Sequence, residues 1–147
     1  MQVHIKLLNH TATVPTFGSV DAAGCDLYAN LTAEGGSVTI APGVTYFVKT
    51  GIAMEIPKNY AGFIYARSGL ASKRGLRPAN CVGVVDSDYR GEVMIALYND
   101  SQSEQTINHG ERVAQMVIGP YLRPEFVMVD ELDDTDRGAG GFGHTGK

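Results

Sequence analysis

The stretch Asn80–Gly91 reads N-C-V-G-V-V-D-S-D-Y-R-G, which sets two carboxylates, a phenol and a guanidinium within a few residues of one another. An apolar run, Val82 to Val85 with Gly83 inside it, leads into Asp86-Ser87-Asp88; a second apolar run, Val93–Leu97, follows. Two strand-like runs around a polar tip predict a β-hairpin or a tight corner. Such a tip offers unpaired backbone N–H and C=O groups, which can read a pyrimidine as a partner base would. A carboxylate beside them can activate water. An ordinary solvated turn has the same D-S-D composition, so the weight rests on the other polar positions of the chain.

Four of these carry chemistry of their own. Asp26 sits among Cys25, Leu27 and Tyr28, and a carboxylate in an apolar setting needs a partner, either an arginine or a hydrated metal. Arg67-Ser68-Gly69 opens a short segment in which Ser68 is a plausible N-cap, Leu70 to Arg74 favour helix and Gly75 is a natural C-cap. The orphan N–H groups of that helix end, beside an arginine and a hydroxyl, make a workable anion site; a capped turn without a ligand fits the same residues. Gln115 stands alone in the apolar run Val113–Ile118, where it either satisfies neighbouring backbone or reaches a ligand. The last section, R-G-A-G-G-F-G-H-T-G-K from Arg137, has five glycines in eleven residues and cannot pack a core. It reads as a flexible tail or as an arm that orders over a ligand. Its G-x-x-x-x-G-K spacing is not a P-loop, because neither a Ser or Thr nor a helix follows.

The elements that must position these groups are strands. Val3, Ile5 and Leu7 alternate with polar residues, as in a half-buried strand. Pro15, Gly18 and Ser19 mark a loop. Val38–Ile40, Val44–Pro57 with a bend at Gly51, Tyr60–Ala66, Val113–Ile118 and Phe126–Val129 all read as strand, and the helix after Arg67 is the one convincing helix. Val93–Leu97 is apolar on both faces, which predicts burial on both sides, including at a subunit contact. Many short strands with turn-rich joints predict an all-β sandwich or jelly roll with one short helix. The expected division is a β core over residues 1–130 and an acidic linker with a glycine-rich arm over 131–147.

Composition narrows the class. With 147 residues, 44% hydrophobic and 19% charged, the chain is expected to be one globular domain. A net charge of −4 argues against non-specific nucleic-acid binding, which needs a basic face. Cys25 and Cys81 form no C-x-x-C pattern, so reduced thiols in the cytoplasm are expected rather than a disulfide or zinc site. No stretch approaches the roughly 18 apolar residues of a membrane span.

Taken together, five segments resemble the homotrimeric dUTPases, which hydrolyse dUTP to dUMP and pyrophosphate and so limit uracil in DNA and supply dUMP for dTMP synthesis. They are A-G-C-D-L-Y-A (23–29), A-R-S-G-L-A (66–71), the opening stretch (80–91), G-E-R-V-A-Q-M-V-I (110–118) and R-G-A-G-G-F-G-H-T-G (137–146). The resemblance implies a distorted jelly roll, a homotrimer with three sites at subunit junctions, Mg²⁺, and an arm that closes over a neighbour's site. By the same resemblance, Asp86 is the general base for in-line attack on the α-phosphorus and Tyr89 packs under the deoxyribose. Asn80 and the backbone of Val84 and Val85 read uracil, and Met94 lines that pocket. Arg67, Ser68, Gly69 and Gln115 contact phosphates, and Asp26 orders the hydrated Mg²⁺. Arg137, Phe142, Gly143, His144 and Thr145 fall on the arm, where the Arg and Thr positions bind γ-phosphate and the Phe stacks over uracil.

Two positions depart from the family pattern: Ala66 stands where proline is usual, and His144 where serine is usual. A histidine there donates to phosphate best when protonated, so arm binding is expected to vary with pH near neutrality. Two alternatives share the fold. A dCTP deaminase would need a glutamate placed to shuttle protons at C4 of the base, whereas the tip carries Asp86. A regulatory dUTPase-like binding protein would be expected to have lost the carboxylate or the arm, and both are present.

Overall fold

The computed structural model describes residues 1–141. Among them are twelve strands and one α-helix: β1 (His4–Leu7), β2 (Thr16–Phe17), β3 (Cys25–Tyr28), β4 (Ser37–Ile40), β5 (Thr45–Lys49), β6 (Ile52–Glu55), β7 (Tyr60–Tyr65), α1 (Ser68–Arg74), β8 (Leu76–Pro78), β9 (Gly83–Val85), β10 (Met94–Asn99), β11 (Gln105–Asn108) and β12 (Arg112–Pro120). The all-β expectation with one short helix holds. Every observed pairing is antiparallel. The largest sheet runs β2-β3-β12-β7-β9; a second runs β5-β10-β8; β1 pairs with β6 and β4 with β11. Leu27, Leu31, Ile52, Leu76, Ile95, Leu97, Ile107 and Met116 meet between these sheets and are all but inaccessible to solvent. They come from β3, β6, β8, β10, β11, β12 and the segment after β3, so closing this one core draws segments from the whole chain together.

Several elements differ from the sequence expectation, each for a non-local reason. The Pro15–Ser19 loop contains the two-residue strand β2, because the edge of β3 offers free backbone groups to Thr16 and Phe17. Ser68 is not the N-cap. Arg67 takes that position with extended backbone and no side-chain cap, and Ser68 starts the helix proper. Gly75 closes the helix in the left-handed conformation as expected, its N–H donating to carbonyls of the last turn. The opening stretch is a corner and not a hairpin, since β9 pairs with β7 while β10 pairs with β5 and β8. The chain therefore leaves one sheet and enters another across residues 86–93.

Burial along β10 alternates: Ile95, Leu97 and Asn99 are buried, while Met94 faces outward. Among the described residues only one face of that run is covered. Phe126–Val129 forms no strand, and its side chains are exposed, Phe126 at 91% and Met128 at 99%. β12 ends at Pro120, and among the described residues no sheet edge receives the apolar residues that follow.

Candidate active site

The phosphate-side residues nominated from sequence converge on one cavity of about 670 Å³, lined by Gly24, Asp26, Arg67, Ser68, Gly69, Arg112 and Gln115 among others. The central strand β12 builds it. Gln115 stands opposite Asp26 of β3 on one side and Tyr65 of β7 on the other, so the three lie in one row across the sheet. β7 runs on through Ala66 into α1, which delivers Arg67, Ser68 and Gly69 to the same end. Gln115 Nε2 donates to the Ala66 carbonyl at 2.9 Å, pinning the strand-to-helix corner where proline is absent.

Asp26 is buried at 8% exposure. Arg67 Nε donates to its Oδ1 at 2.7 Å, and Arg112 Nη1 to its Oδ2 at 3.1 Å. The arginine-paired alternative for Asp26 is thus the arrangement observed. Arg112 had no role in the sequence reading. Arg112 and Gln115 are three residues apart, so in a regular strand they would face opposite ways. A β-bulge between Arg112 and Ala114 adds one residue and brings both onto the cavity face. The only sequence sign is the adjacent apolar pair Val113-Ala114, both buried. The lining carries four cationic side chains (Arg67, Lys73, Arg74, Arg112) against two acidic ones (Asp26, Glu111), a balance that favours an anion.

The base-side residues form a second cavity, of about 240 Å³. Asn80, Val84, Val85, Asp86, Tyr89 and Met94 all line it, joined by Phe47, Ile64, Gly83, Glu92 and Val93. β9 supplies Val84 and Val85, the corner supplies Asp86 and Tyr89, and β10 supplies Met94. Asp86 is exposed at the end of β9. Tyr89 N–H donates to the Asp86 carbonyl at 3.2 Å, and Tyr89 Oη donates to the Glu92 carbonyl at 3.1 Å. This folds the phenol over Gly91, where a Cβ would lie 2.4 Å from Tyr89 Oη. Phe47 was also missed from sequence, although its signal is visible: it is an aromatic at an outward position of β5, between outward Thr45 and Lys49, and is 63% exposed.

The two cavities share no lining residue. Arg137 lines neither; its Nε donates to the Gly140 carbonyl at 2.8 Å. Phe142, Gly143, His144 and Thr145 lie outside the described residues. Titration at the site's margins has clear causes. Glu55 is held below the usual carboxylate range by a hydrogen bond with His4 and then by the charge of Arg90. Burial pushes the Cys25 thiol up.

A cationic cavity and an apolar pocket edged by a carboxylate, carried on antiparallel sheets, define a protein for an anionic ligand that bears a ring. Comparison with known proteins sharpens this class. The dUTPase family model matches residues 10–146. The deoxyuridine 5'-triphosphate nucleotidohydrolase of Desulfitobacterium hafniense is 48% identical over 134 residues, covering 90% of this chain and 87% of that one. The dUTPase of Staphylococcus bacteriophage 80alpha, solved with dUpNHpp, superposes with a TM-score of 0.88 at 28% identity, covering 99% of each chain. A variant dUTPase from phage phi11 of S. aureus, solved for the coordination of a structural Mg(II) ion, superposes at 0.78 with 26% identity, covering 89% of this chain and 98% of that one. The chain belongs to the dUTPase family, a family of jelly-roll-like hydrolases, and its activity is the hydrolysis of dUTP. Deamination of dCTP is set aside on the same grounds.

Proposed function

We propose that Asp86 is the general base of this hydrolysis, activating a water for in-line attack on the α-phosphorus of dUTP to give dUMP and pyrophosphate. The observation that carries this is the gathering of Asn80, Val84, Val85, Asp86, Tyr89 and Met94 around one small cavity. Uracil presents donors and acceptors to Asn80 and to the backbone of the β9 edge. A mismatched base leaves buried polar groups unpaired, which allows strong discrimination. Tyr89, folded over Gly91, forms the floor for the deoxyribose and leaves no room for a 2′-hydroxyl. Asp86, exposed at the pocket rim, is free to accept a proton from water.

Arg67, Ser68, Gly69 and Gln115 receive the phosphates in the cationic cavity. Asp26 holds Arg67 and Arg112 at fixed positions, so the guanidinium groups are oriented before the substrate arrives. The residues fit Mg²⁺ as well. Each Asp26 oxygen accepts one arginine N–H, which leaves lone pairs for water, and Mg²⁺ keeps much of its water shell while binding phosphate oxygens. When bound with the triphosphate, the ion supplies charge neutralisation.

A homotrimer whose sites form between copies of the chain is the assembly we propose, and the separation of the base-side and phosphate-side cavities, which share no lining residue, supports it. The exposed apolar residues of 121–132 and the outward face of β10 supply surface for that assembly. Arg137 and the arm that follows close over a neighbour's site. Among the described residues no helix is long and apolar enough to cross a membrane, and Cys25 and Cys81 are free thiols; the compartment we propose is the cytoplasm.

The test is incubation with dUTP, dTTP, dCTP and UTP, each with Mg²⁺, while pyrophosphate and nucleoside product are measured. Pyrophosphate from dUTP alone, lost in Asp86→Asn, is the expected result. Undiminished turnover by Asp86→Asn would remove Asp86 from the mechanism.

A further inference from the structure

The corner that carries Asp86 and Tyr89 is anchored at both ends but spans a gap between them. On one side β9 pairs with β7, Val85 opposite Gly62. On the other, Val93 N–H donates to the Ile52 carbonyl at 2.9 Å, and Gly51 N–H donates to Glu92 Oε1 at 2.8 Å. Between these anchors Tyr89 bonds to the Asp86 and Glu92 carbonyls, and Arg90 adds further connections. Its Nη1 donates to the carbonyls of Ser87 at 2.7 Å and of Tyr89 at 3.0 Å. Its Nη2 lies 3.6 Å from Glu55 Oε1. Glu55 ends β6 directly opposite His4 of β1, whose Nδ1 is 3.1 Å from Glu55 Oε2.

We propose that Arg90 is a positioning residue for dUTP hydrolysis: its guanidinium sets the curvature of the Asp86–Tyr89 segment, and Glu55 holds that guanidinium in place. The proposal rests on the reading that Asp86 and Tyr89 act on dUTP. Two carbonyls that converge on one nitrogen would repel each other without the cation between them. Removing it lets the Ser87–Asp88 and Tyr89–Arg90 peptide planes turn apart. Asp86 and Tyr89 sit at the two ends of that segment, so both shift. A general base works only within hydrogen-bond reach of its water, and a misplacement of about 1 Å can cost on the order of 100-fold in rate.

The ion pair itself stabilises the fold little. Arg90 and Glu55 are 54% and 56% exposed, and pairs of that kind contribute next to nothing measurable. The consequence of losing Arg90 therefore falls on catalysis and sugar discrimination rather than on melting temperature. That separation tells a positioning role from a structural one.

The experiment uses the full chain with Arg90→Gln, Arg90→Lys and Glu55→Gln, and with Asp86→Asn as reference. Steady-state kinetics on dUTP and UTP are measured beside thermal melts. Arg90→Gln is expected to lose about tenfold or more in kcat for dUTP, scaled from the cost of misplacement. It should also narrow the dUTP-over-UTP preference in kcat/KM, with melting close to the parent's. Arg90→Lys should recover part of the loss, since an ammonium reaches one carbonyl but not the carboxylate as well. Glu55→Gln should lie between parent and Arg90→Gln.

Parental kcat and preference in Arg90→Gln, with an active parent and an inactive Asp86→Asn, overturn the proposal alone. So does an equal loss on both substrates accompanied by a large fall in melting temperature. An Asp86→Asn variant that keeps its activity overturns the underlying reading, and the proposal with it.

Discussion

Replacing Asp26 with asparagine keeps the shape of the side chain and removes its charge. The carboxylate is the shared counter-ion of Arg67 and Arg112, at 2.7 and 3.1 Å. In Asp26→Asn two guanidinium groups face each other across a neutral amide. Stripping one partner from a fully buried pair costs about 3–5 kcal/mol, while a fully exposed pair is worth about 0–1 kcal/mol. Here the carboxylate is 11% exposed and the guanidinium side chains are 28% and 49% exposed, so solvent takes up part of the loss. An intermediate cost of about 2 kcal/mol follows.

For a chain of this length that corresponds to a fall of roughly 4–8 °C in Tm at fixed protein concentration. A second signature is specific to the arrangement. An anion can now settle between the unmasked arginines, and a ligand that binds only the folded state raises its stability. Sulfate or pyrophosphate should therefore raise the Tm of Asp26→Asn more than that of the parent. The assay is a pair of melting series against sulfate, with KM for dUTP measured in parallel and expected to rise as Arg67 loses its anchor. A variant that melts within about 1 °C of the parent, responds to sulfate as the parent does and keeps its KM would refute the reasoning.

Gly91→Ala should raise KM for dUTP and weaken discrimination against UTP, because a Cβ would lie 2.4 Å from Tyr89 Oη and the phenol must move; a parental dUTP/UTP ratio counts against the folded-over phenol. The thiols should react unequally. Cys81 is exposed, while Cys25 is buried, donates to the Met116 carbonyl and has its pKa raised by burial. An aromatic disulfide reagent should thus find one fast thiol in the native protein and two in urea, with none fast in Cys81→Ser. The Glu55 contact should fail in acid. Its folded pKa is lowered, so the stabilisation is complete above the ordinary carboxylate pKa and disappears as pH falls through the lowered value. The pair is too exposed for melts to read it, so the check is kinetic: the kcat difference between parent and Glu55→Gln should close as pH falls, and a constant ratio at all pH values would contradict that origin.

Most of the local structure was written in short stretches of the chain. Alternating side chains marked β1, the bend at Gly51 separated β5 from β6, and Gly75 ended the helix, because each of these follows from the conformational preferences of a few adjacent residues. The candidate site was also nominated from short stretches: the resemblance of five segments to the dUTPases pointed to Asp86, Tyr89, Arg67 and Gln115 before any fold was described. Pairing between distant strands is a different kind of information. Residues 80–97 carry the pattern of a hairpin, yet β9 and β10 join different sheets, since β7 and β5 compete successfully for their edges.

The bulge at the start of β12 had no marker beyond two adjacent apolar residues, but it alone turns Arg112 toward Asp26. Phe126–Val129 has strand composition but joins no sheet among the described residues. Ser68 had the chemistry of a cap, but the backbone after β7 stays extended at Arg67, which leaves that residue in the cap position. Short segments thus nominated the groups to look for, because side-chain type is local information. The three-dimensional pairing of strands, whose free energy depends on partners far away in the chain, decided which groups meet, and it divided them between two cavities.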